Sequence, residues 1–385
     1  MTDSIVLYDM TEFLRNPVRT GIQRVCCEIL SNWRGPLRLL PVRLDDQGLL
    51  LVLPENIVQV IIDFFHCSAQ DMKAQIRQLR ELAACPTARL TQDDCLKYRA
   101  ILNAELFHDP HRVAYYESLL KKLPEQVFLI LYDFLPQLNP QWFPQGCSLS
   151  TMDYVRMTRS LKNASFISES TRSDYLQRIV RDPSRAVGPV IPLGADGLGG
   201  QPLLRERASN RFTILGTMEP RKNHGEAFKA FESLWRRGVD VQLTIAGRLT
   251  LLEPEQRRQL ETLNCHESRF EWLAEPSDAQ VIDLLRHTRA TIYPSRSEGF
   301  GLPPLESLAL GVPVIVTEDI PSVAMIPDHG QCRLAVPDAA SIATAVEQFL
   351  DDDYHRRKCD EIRLLKLPTW RDVACRVAEW VSAAA

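Results

Sequence analysis

The stretch Tyr293–Thr317, YPSRSEGFGLPPLESLALGVPVIVT, decides how the chain is read. Ala290–Tyr293 before it is apolar or β-branched and Pro294 cannot extend a ladder, so a buried strand ends at Tyr293. The chain must then turn at Ser295–Gly301. Gly299 and Gly301 permit a positive φ and a close approach of backbone to a ligand, and Pro303 or Pro304 suits a first helical position, where no N–H is needed. A helix is expected from about Pro303 to near Gly311. Side chains lean toward a helix N-terminus, so Glu306 points back toward the glycine loop and Glu298. Free N–H groups attract anions and carboxylates accept bonds from hydroxyls, a pairing that fits a ligand combining phosphates with a polyol, such as a nucleotide-sugar. Taken singly, Glu306 is explained by the helix dipole and Glu298 by a solvated turn; the whole arrangement is more specific.

The remaining strand ends point to the same place. Phe212–Gly216, Val241–Gly247, Phe270–Leu273 and Val312–Thr317 read as strands separated by helical segments, which implies a parallel sheet with right-handed crossovers. The chemically loaded segments Thr217–Lys222, Arg248, Ala274–Glu275 and Ser295–Glu298 each begin where a strand ends, so they converge on one crevice. Arg221 and Lys222 precede a helix N-terminus, where two cations and free amides suit a diphosphate. Asn223 with Glu226, and Ser277 with Gln280, have capping-box spacing.

At 385 residues the chain exceeds the usual single core, and two domains are expected. The loop composition of Gly194–Pro202 marks the boundary. The domains are read as 1–198 and 199–366, with 367–385 a final helix bearing Trp370 and Trp380 that packs back toward the first domain. A net charge of −4 gives no support for a nucleic-acid partner. The ten cysteines show no CxxC pair and MTDSIVLYDM has no basic leader, so reduced thiols in a cytoplasmic protein are expected. No apolar run approaches the ~18 residues of a membrane span.

In the first half, Ser4–Tyr8, Leu37–Leu44, Val58–Phe65, Val127–Leu131 and Phe166–Ser168 read as strands, and roughly Gln70–Leu123 as helical. Thr20 and Gly21 sit at a strand-to-helix entry, where an open α/β sheet offers ligand contacts or simply a cap. Asp133 follows the continuous apolar run Val127–Leu131, a position for a base, a hydroxyl ligand or a loop cap. His108 and His111 lack further ligands at suitable spacing, and Asp351-Asp352-Asp353 reads as a solvated helix end, so no metal is expected.

These residues bring a family into view. From TGIQRV through YDFLPQLNPQWFP, ISESTRSDYL, IPLGAD and ILGTMEPRKNH to SEGFGLPPLESLALGVPVI, nearly the whole chain resembles glycosyltransferase family 4, retaining enzymes of the GT-B fold with two facing Rossmann-like α/β domains. The resemblance implies that Arg221 and Lys222 bind the donor diphosphate, helped by Gly299, Phe300 and Gly301. It implies that Glu306 holds ribose hydroxyls, that Glu298 meets the transferred sugar, and that Trp272 and Leu273 border the base. Gly21 would approach the diphosphate, and Asp133 would lie at the acceptor side. Thr217 stands where many relatives carry an arginine, a charge that Arg221 or Arg248 would replace. Tyr132-Asp133 stands where some relatives present a histidine.

The activity implied is metal-independent transfer of a hexose or deoxyhexose from a nucleotide-sugar (UDP, GDP or dTDP) to a glycan hydroxyl, with no further cofactor. The usual setting of relatives with TGIQRV and YDFLP-like segments is bacterial surface-polysaccharide synthesis, which implies a lipid-linked acceptor and peripheral contact with the inner membrane face. A sugar-nucleotide epimerase and a catalytically silent nucleotide-sugar-binding subunit are the alternatives. A dinucleotide oxidoreductase is disfavoured, because Gly194–Gly200 follows no strong strand and opens no apolar helix.

Overall fold

The computed structural model describes residues 4–67, 71–203 and 209–384. The chain divides into two compact units: Met1–Leu138, Gln145–Gly194 and Thr369–Ala385 form unit 1, and Asn139–Pro144 with Ala195–Pro368 form unit 2.

Unit 1 is a seven-stranded sheet of order β4-β3-β2-β1-β5-β6-β7. Its strands are β1 (Ile5–Asp9), β2 (Arg38–Leu44), β3 (Leu50–Val52), β4 (Ala88–Leu90), β5 (Ala100–Asn103), β6 (Val127–Leu131) and β7 (Asn163–Phe166). The β2, β1, β5, β6 and β7 strands run parallel, and the short β3 and β4 add antiparallel pairings at one edge. Every residue of VFLIL in β6 is buried, as a central strand covered on both faces requires.

Three expectations fail in this unit. Val58–Phe65 is a helix, Ile57–His66, rather than a strand. Its buried residues Ile57, Val60, Ile61, Phe64 and Phe65 recur at helical spacing, and Gln59 donates to Asp63 one turn on at 2.7 Å. The expected helical stretch begins at Gln70, which lies outside the described residues, and it contains β4 and the central strand β5. The AILN run of β5 is too short for periodicity to separate strand from helix. Finally, β7 ends at Phe166, and Ser168, expected as strand, caps the next helix by accepting from Thr171 N at 3.1 Å.

The strand order of unit 1 reverses between β1 and β5, and a sealed polar cluster fills the strand ends there. Arg112 Nη2 donates to Asp9 Oδ2 at 2.8 Å and to Glu105 Oε2 at 2.6 Å. Tyr116 donates to Asp9 at 2.7 Å and receives from Asn103 Nδ2 at 2.9 Å. The Glu105 carboxylate also accepts the Glu12 and Phe13 amides at 2.8 and 2.7 Å, holding the first turn of helix Thr11–Arg15.

The C-terminal helix Trp370–Ala384 belongs to unit 1 and packs on helix Gly21–Asn32. Trp380 meets Phe128 edge-on with centroids 5.0 Å apart, and Arg99 Nη2 donates to Ser382 O at 2.7 Å. Gly194 lies against this helix so closely that a Cβ there would stand 2.5 Å from Trp370 N.

Unit 2 is an all-parallel sheet of order β10-β9-β8-β11-β12-β13, the doubly wound pattern. It comprises β8 (Arg211–Leu215), β9 (Gln242–Ala246), β10 (Phe270–Leu273), β11 (Ala290–Tyr293), β12 (Val314–Thr317) and β13 (Gln331–Leu334). Its order reverses between β8 and β11. Helix His224–Arg236 buries Ala227, Phe228, Phe231 and Leu234 as its spacing demands. Ser277 and Gln280 form the expected capping box. Asn223 and Glu226 do not: Asn223 is left-handed (φ 60) as the backbone leaves the tight turn Pro220–Lys222. Its side-chain Nδ2 donates instead to Pro337 O at 2.7 Å, and Glu226 accepts from Ala339 N at 3.0 Å.

Candidate functional site

The site is built at the reversal point of unit 2. Beyond β8 the chain passes Gly216 and Thr217 and makes a single 3-10 turn, Pro220–Lys222; beyond β11 it runs through Ser295 to Gly301 and enters helix Leu302–Ala309. The Arg296 amide donates to Arg221 O at 2.8 Å and ties the two loops together.

Glu298 is the hub. Its Oε2 accepts from Arg221 Nη1, its Oε1 lies 3.0 Å from Lys222 Nζ, and the same oxygen accepts from Tyr293 OH at 2.8 Å. Lys222 Nζ also donates to that hydroxyl at 2.8 Å and lies 4.9 Å from the Tyr293 ring centre. Arg221 Nη2 donates to Glu219 Oε1 at 2.9 Å. The Glu298, Lys222 and Arg221 side chains are 7%, 11% and 16% exposed, so a ligand can reach them while most of their hydration is already removed. Burial pushes the Glu298 carboxyl up, but Lys222, Arg221 and the Tyr293 hydroxyl outweigh it and hold it down to about 2. Burial, reinforced by Lys222, holds the neighbouring His224 down to about 3, so that ring is neutral.

Glycine chemistry explains the loops. Gly216 has φ +123, and a Cβ there would touch Lys222 Nζ at 3.5 Å. At Gly247 a Cβ would stand 2.0 Å from Gly216 O, so β8 and β9 end in direct backbone contact. Gly301 has φ +91, and a Cβ would come within 2.6 Å of Ile320. Ser322 Oγ donates to Gly301 O at 2.6 Å, and the Ser322 amide donates to Phe300 O at 2.9 Å. Helix Leu302–Ala309 then carries Glu306, a buried carboxylate, in its second turn.

Arg221, Lys222, Glu298, Gly299, Phe300, Gly301 and Glu306 thus belong to two adjacent loops and one helix of unit 2. Thr217 follows Gly216 on the same loop, and Arg248 follows Gly247, its carbonyl accepting from Met218 N at 2.7 Å. Trp272 and Leu273 end β10. The Trp272 indole donates to Gly247 O at 3.0 Å, and Leu273 O accepts from Gly247 N at 2.9 Å.

Gly21 and Asp133 lie in unit 1. Gly21 opens helix Gly21–Asn32, whose cap is Thr20 Oγ1, accepting from Gln23 N at 3.3 Å. Asp133 follows β6 and accepts from Leu135 N at 3.1 Å. Among the described residues no group of three or more His, Cys, Asp or Glu is placed to hold a metal ion, and no helix is long and apolar enough to cross a membrane. Asp351 caps helix Asp352–Ile362, and His111 is the second residue of helix Pro110–Lys122.

Sequence reasoning missed Tyr293 and Glu219. The sequence marks Tyr293 only as the end of a strand, although a hydroxyl at the last position of the reversal-point strand is the available signal. Nothing in the spacing of Glu219 pointed to Arg221, because residues two apart meet only where the backbone turns tightly, as it does here.

Residues 201–363 match the family model for glycosyl transferases group 1. The serotype-specific mannosyltransferase WbdA of Escherichia coli is 28% identical over 367 residues, which is 90% of this chain and 41% of WbdA. The chain therefore spans about two fifths of the length of the first curated relatives it matches. O-antigen chain mannosyltransferase B of Escherichia coli is 32% identical over 144 residues, 37% of each chain. Among solved structures, HepE of Anabaena in complex with UDP-glucose has a TM-score of 0.66 at 12% identity, covering 98% of this chain and 99% of that one. At that identity the likeness carries the fold alone, the GT-B class of two Rossmann-like domains.

Proposed function

We propose that this chain, whose residues 201–363 match the family model for glycosyl transferases group 1, transfers a hexose from a nucleotide-sugar to a glycan hydroxyl with retention at the anomeric carbon. The observation that carries this reading is the convergence on Glu298 of Lys222, Arg221 and Tyr293, at the point of a doubly wound sheet where such folds bind nucleotides.

The chemistry follows from charge. Departure of a nucleoside diphosphate leaves positive charge on the sugar and negative charge on the phosphates, so preorganised cations at the phosphates supply the main stabilisation. In this reading Lys222 and Arg221 hold the diphosphate. Both already balance Glu298, which keeps them in place before the donor arrives. Arg248 supplies the charge that Thr217 does not; no carboxylate pairs with it among the described residues. Glu298 meets the sugar hydroxyls as an anion and Glu306 the ribose. Gly299, Phe300 and Gly301 bring backbone to the phosphates, and Trp272 and Leu273 border the base. Gly21 and Asp133 are assigned to the phosphate and acceptor sides. These cations do the work a divalent metal does elsewhere, and transfer is expected to survive chelation. The incoming hydroxyl attacks on the face the diphosphate leaves, guided by the leaving phosphate.

The names of the relatives point to mannosyl donors and to O-antigen synthesis, hence to a lipid-linked acceptor at the inner membrane face. The test is release of nucleoside diphosphate from GDP-mannose, UDP-glucose and dTDP-sugars, with and without a mannose-containing glycan and with a chelator present. Acceptor-dependent release that disappears in Lys222→Ala is expected. Turnover without acceptor would favour an epimerase or hydrolase, and no release from any donor would defeat the reading.

A further inference from the structure

A second collection of cations surrounds a hollow in unit 1. An open cavity of about 530 Å³ is lined by Arg15, Arg43, Arg80 and Arg89, with Asp45 and Asp46. Arg43 on β2 is registered with Leu51 on β3, and Leu51 with Arg89 on β4. The two arginines therefore flank Leu51 in one cross-strand row, on one face of the sheet, about 10 Å apart by two interstrand spacings. Arg80 stands in the last turn of helix Met72–Ala83, and Arg43 Nε donates to Ala83 O of that turn at 3.0 Å.

The charges do not cancel. Four guanidinium groups face two carboxylates, and Asp45 Oδ1 already accepts the Gln47 and Leu49 amides at 2.9 Å each. Arg15 pairs with Asp109, whereas neither Arg80 nor Arg89 meets a carboxylate among the described residues. Complementing a helix C-terminus accounts for Arg43 and Arg80. It does not account for Arg89, on a three-residue strand, or for the placing of all four around a cavity.

We propose that this cavity binds a phosphate-bearing ligand, with the phosphate between Arg43, Arg80 and Arg89 and the hydroxyls of the attached group toward Asp46. Guanidinium forks match phosphate oxygens two at a time. A hollow of this volume has room for a sugar or glycerol as well as the phosphate. The inference rests on the transferase reading only for the ligand's role, which is then the phosphorylated carrier end of the acceptor.

The test uses the full chain carrying Lys222→Ala, which weakens phosphate binding in unit 2, with and without Arg80→Gln and Arg89→Gln. Both arginines are exposed, and circular dichroism verifies the fold. Titration with inorganic diphosphate is expected to show binding that the two added substitutions weaken by about tenfold or more. Co-sedimentation with vesicles of phosphatidylglycerol and phosphatidylcholine, against phosphatidylcholine alone, separates the sources. Arginine-dependent pelleting with the anionic vesicles assigns the phosphate to a lipid headgroup; diphosphate binding without pelleting assigns it to a soluble glycan phosphate. Equal diphosphate binding and equal pelleting with and without the arginine substitutions overturns the proposal. Donor turnover is not read in either arm, so failure here leaves the transferase reading standing. Arginine-dependent binding here, together with no donor turnover by the chain with Lys222 intact, would defeat that reading alone.

Discussion

Each unit gathers charge where its strand order reverses, and the two clusters differ in stoichiometry and access. In unit 1 two carboxylates, Asp9 and Glu105, share one guanidinium, Arg112, and the three side chains are at most 2% exposed. In unit 2 Glu298 meets two cations and a phenol, with Glu219 on the other side of Arg221, and the Glu298, Lys222 and Arg221 side chains keep 7% to 16% of their surface. Burial drives the Glu105 carboxyl up, against a cation it must divide with Asp9. The same burial penalty on Glu298 is outweighed by Lys222 together with Arg221, which it shares with Glu219. Glu105 holds backbone amides, while Glu298 holds the Arg221 and Lys222 side chains, which keep a small exposed surface. The same topological position thus serves as an internal strut in one unit and as an accessible site in the other.

The sharpest way to break this contrast is to remove the strut. Arg112→Met leaves two buried carboxylates without a cation, and a loss of about 3–5 kcal/mol in unfolding free energy is expected by chemical denaturation. A loss below about 1 kcal/mol would mean that the cluster is not an internal strut.

Glu298→Gln tests the other side. It keeps the shape of the hub and removes its charge, so turnover is expected to fall about 10²-fold or more, with a smaller change in unfolding free energy than Arg112→Met causes. A variant that unfolds as readily as Arg112→Met would make Glu298 structural too.

Tyr293→Phe sharpens the comparison further. It removes the hydroxyl that links Lys222 to Glu298 while keeping the buried ring, and a fall of about tenfold in kcat/KM is expected. With one stabilising bond gone, the Glu298 pKa rises, and the acid limb of the pH profile moves to higher pH.

The last contrast is in acid stability. Glu298 titrates in the native state at about 2, below its ordinary 4.5. Its contribution is therefore complete above pH 4.5 and is lost as pH falls through about 2. The difference in stability between wild type and Glu298→Gln should shrink over that interval. A difference that stays constant from pH 6 to pH 2.5, measured by urea titration, would contradict the assigned charge state.

Legibility in the sequence followed length and side-chain chemistry. In unit 2 the strands alternate with long amphipathic helices, and five of its six strands were read within a residue or two of their ends. In unit 1 the apolar run of Ile57–His66 has no alternating pattern, and the four residues of β5 have no period at all, so each was given the wrong state. The hub residues Arg221, Lys222 and Glu298 could be picked out because charged groups at strand ends converge in a doubly wound sheet. Their bonding to one another could not, since it depends on the tight turn at Pro220–Lys222 and on the rotamer of Tyr293. Asn223 shows the same limit: spacing alone suggested a cap, and the left-handed backbone removed it.

The C-terminal helix has a consequence for how the protein is made. Unit 1 starts with the first strand but is finished by Trp370–Ala384, after all of unit 2 has been synthesised. Until then Phe128 lacks its Trp380 partner and Gly194 its Trp370 cover, so the nascent chain carries an exposed apolar seam until that helix emerges. The sheet of unit 2 needs nothing from beyond Pro368 and can close first. A chain truncated after Pro368 and released from the ribosome should therefore protect β8–β13 from proteolysis while leaving unit 1 open to cleavage.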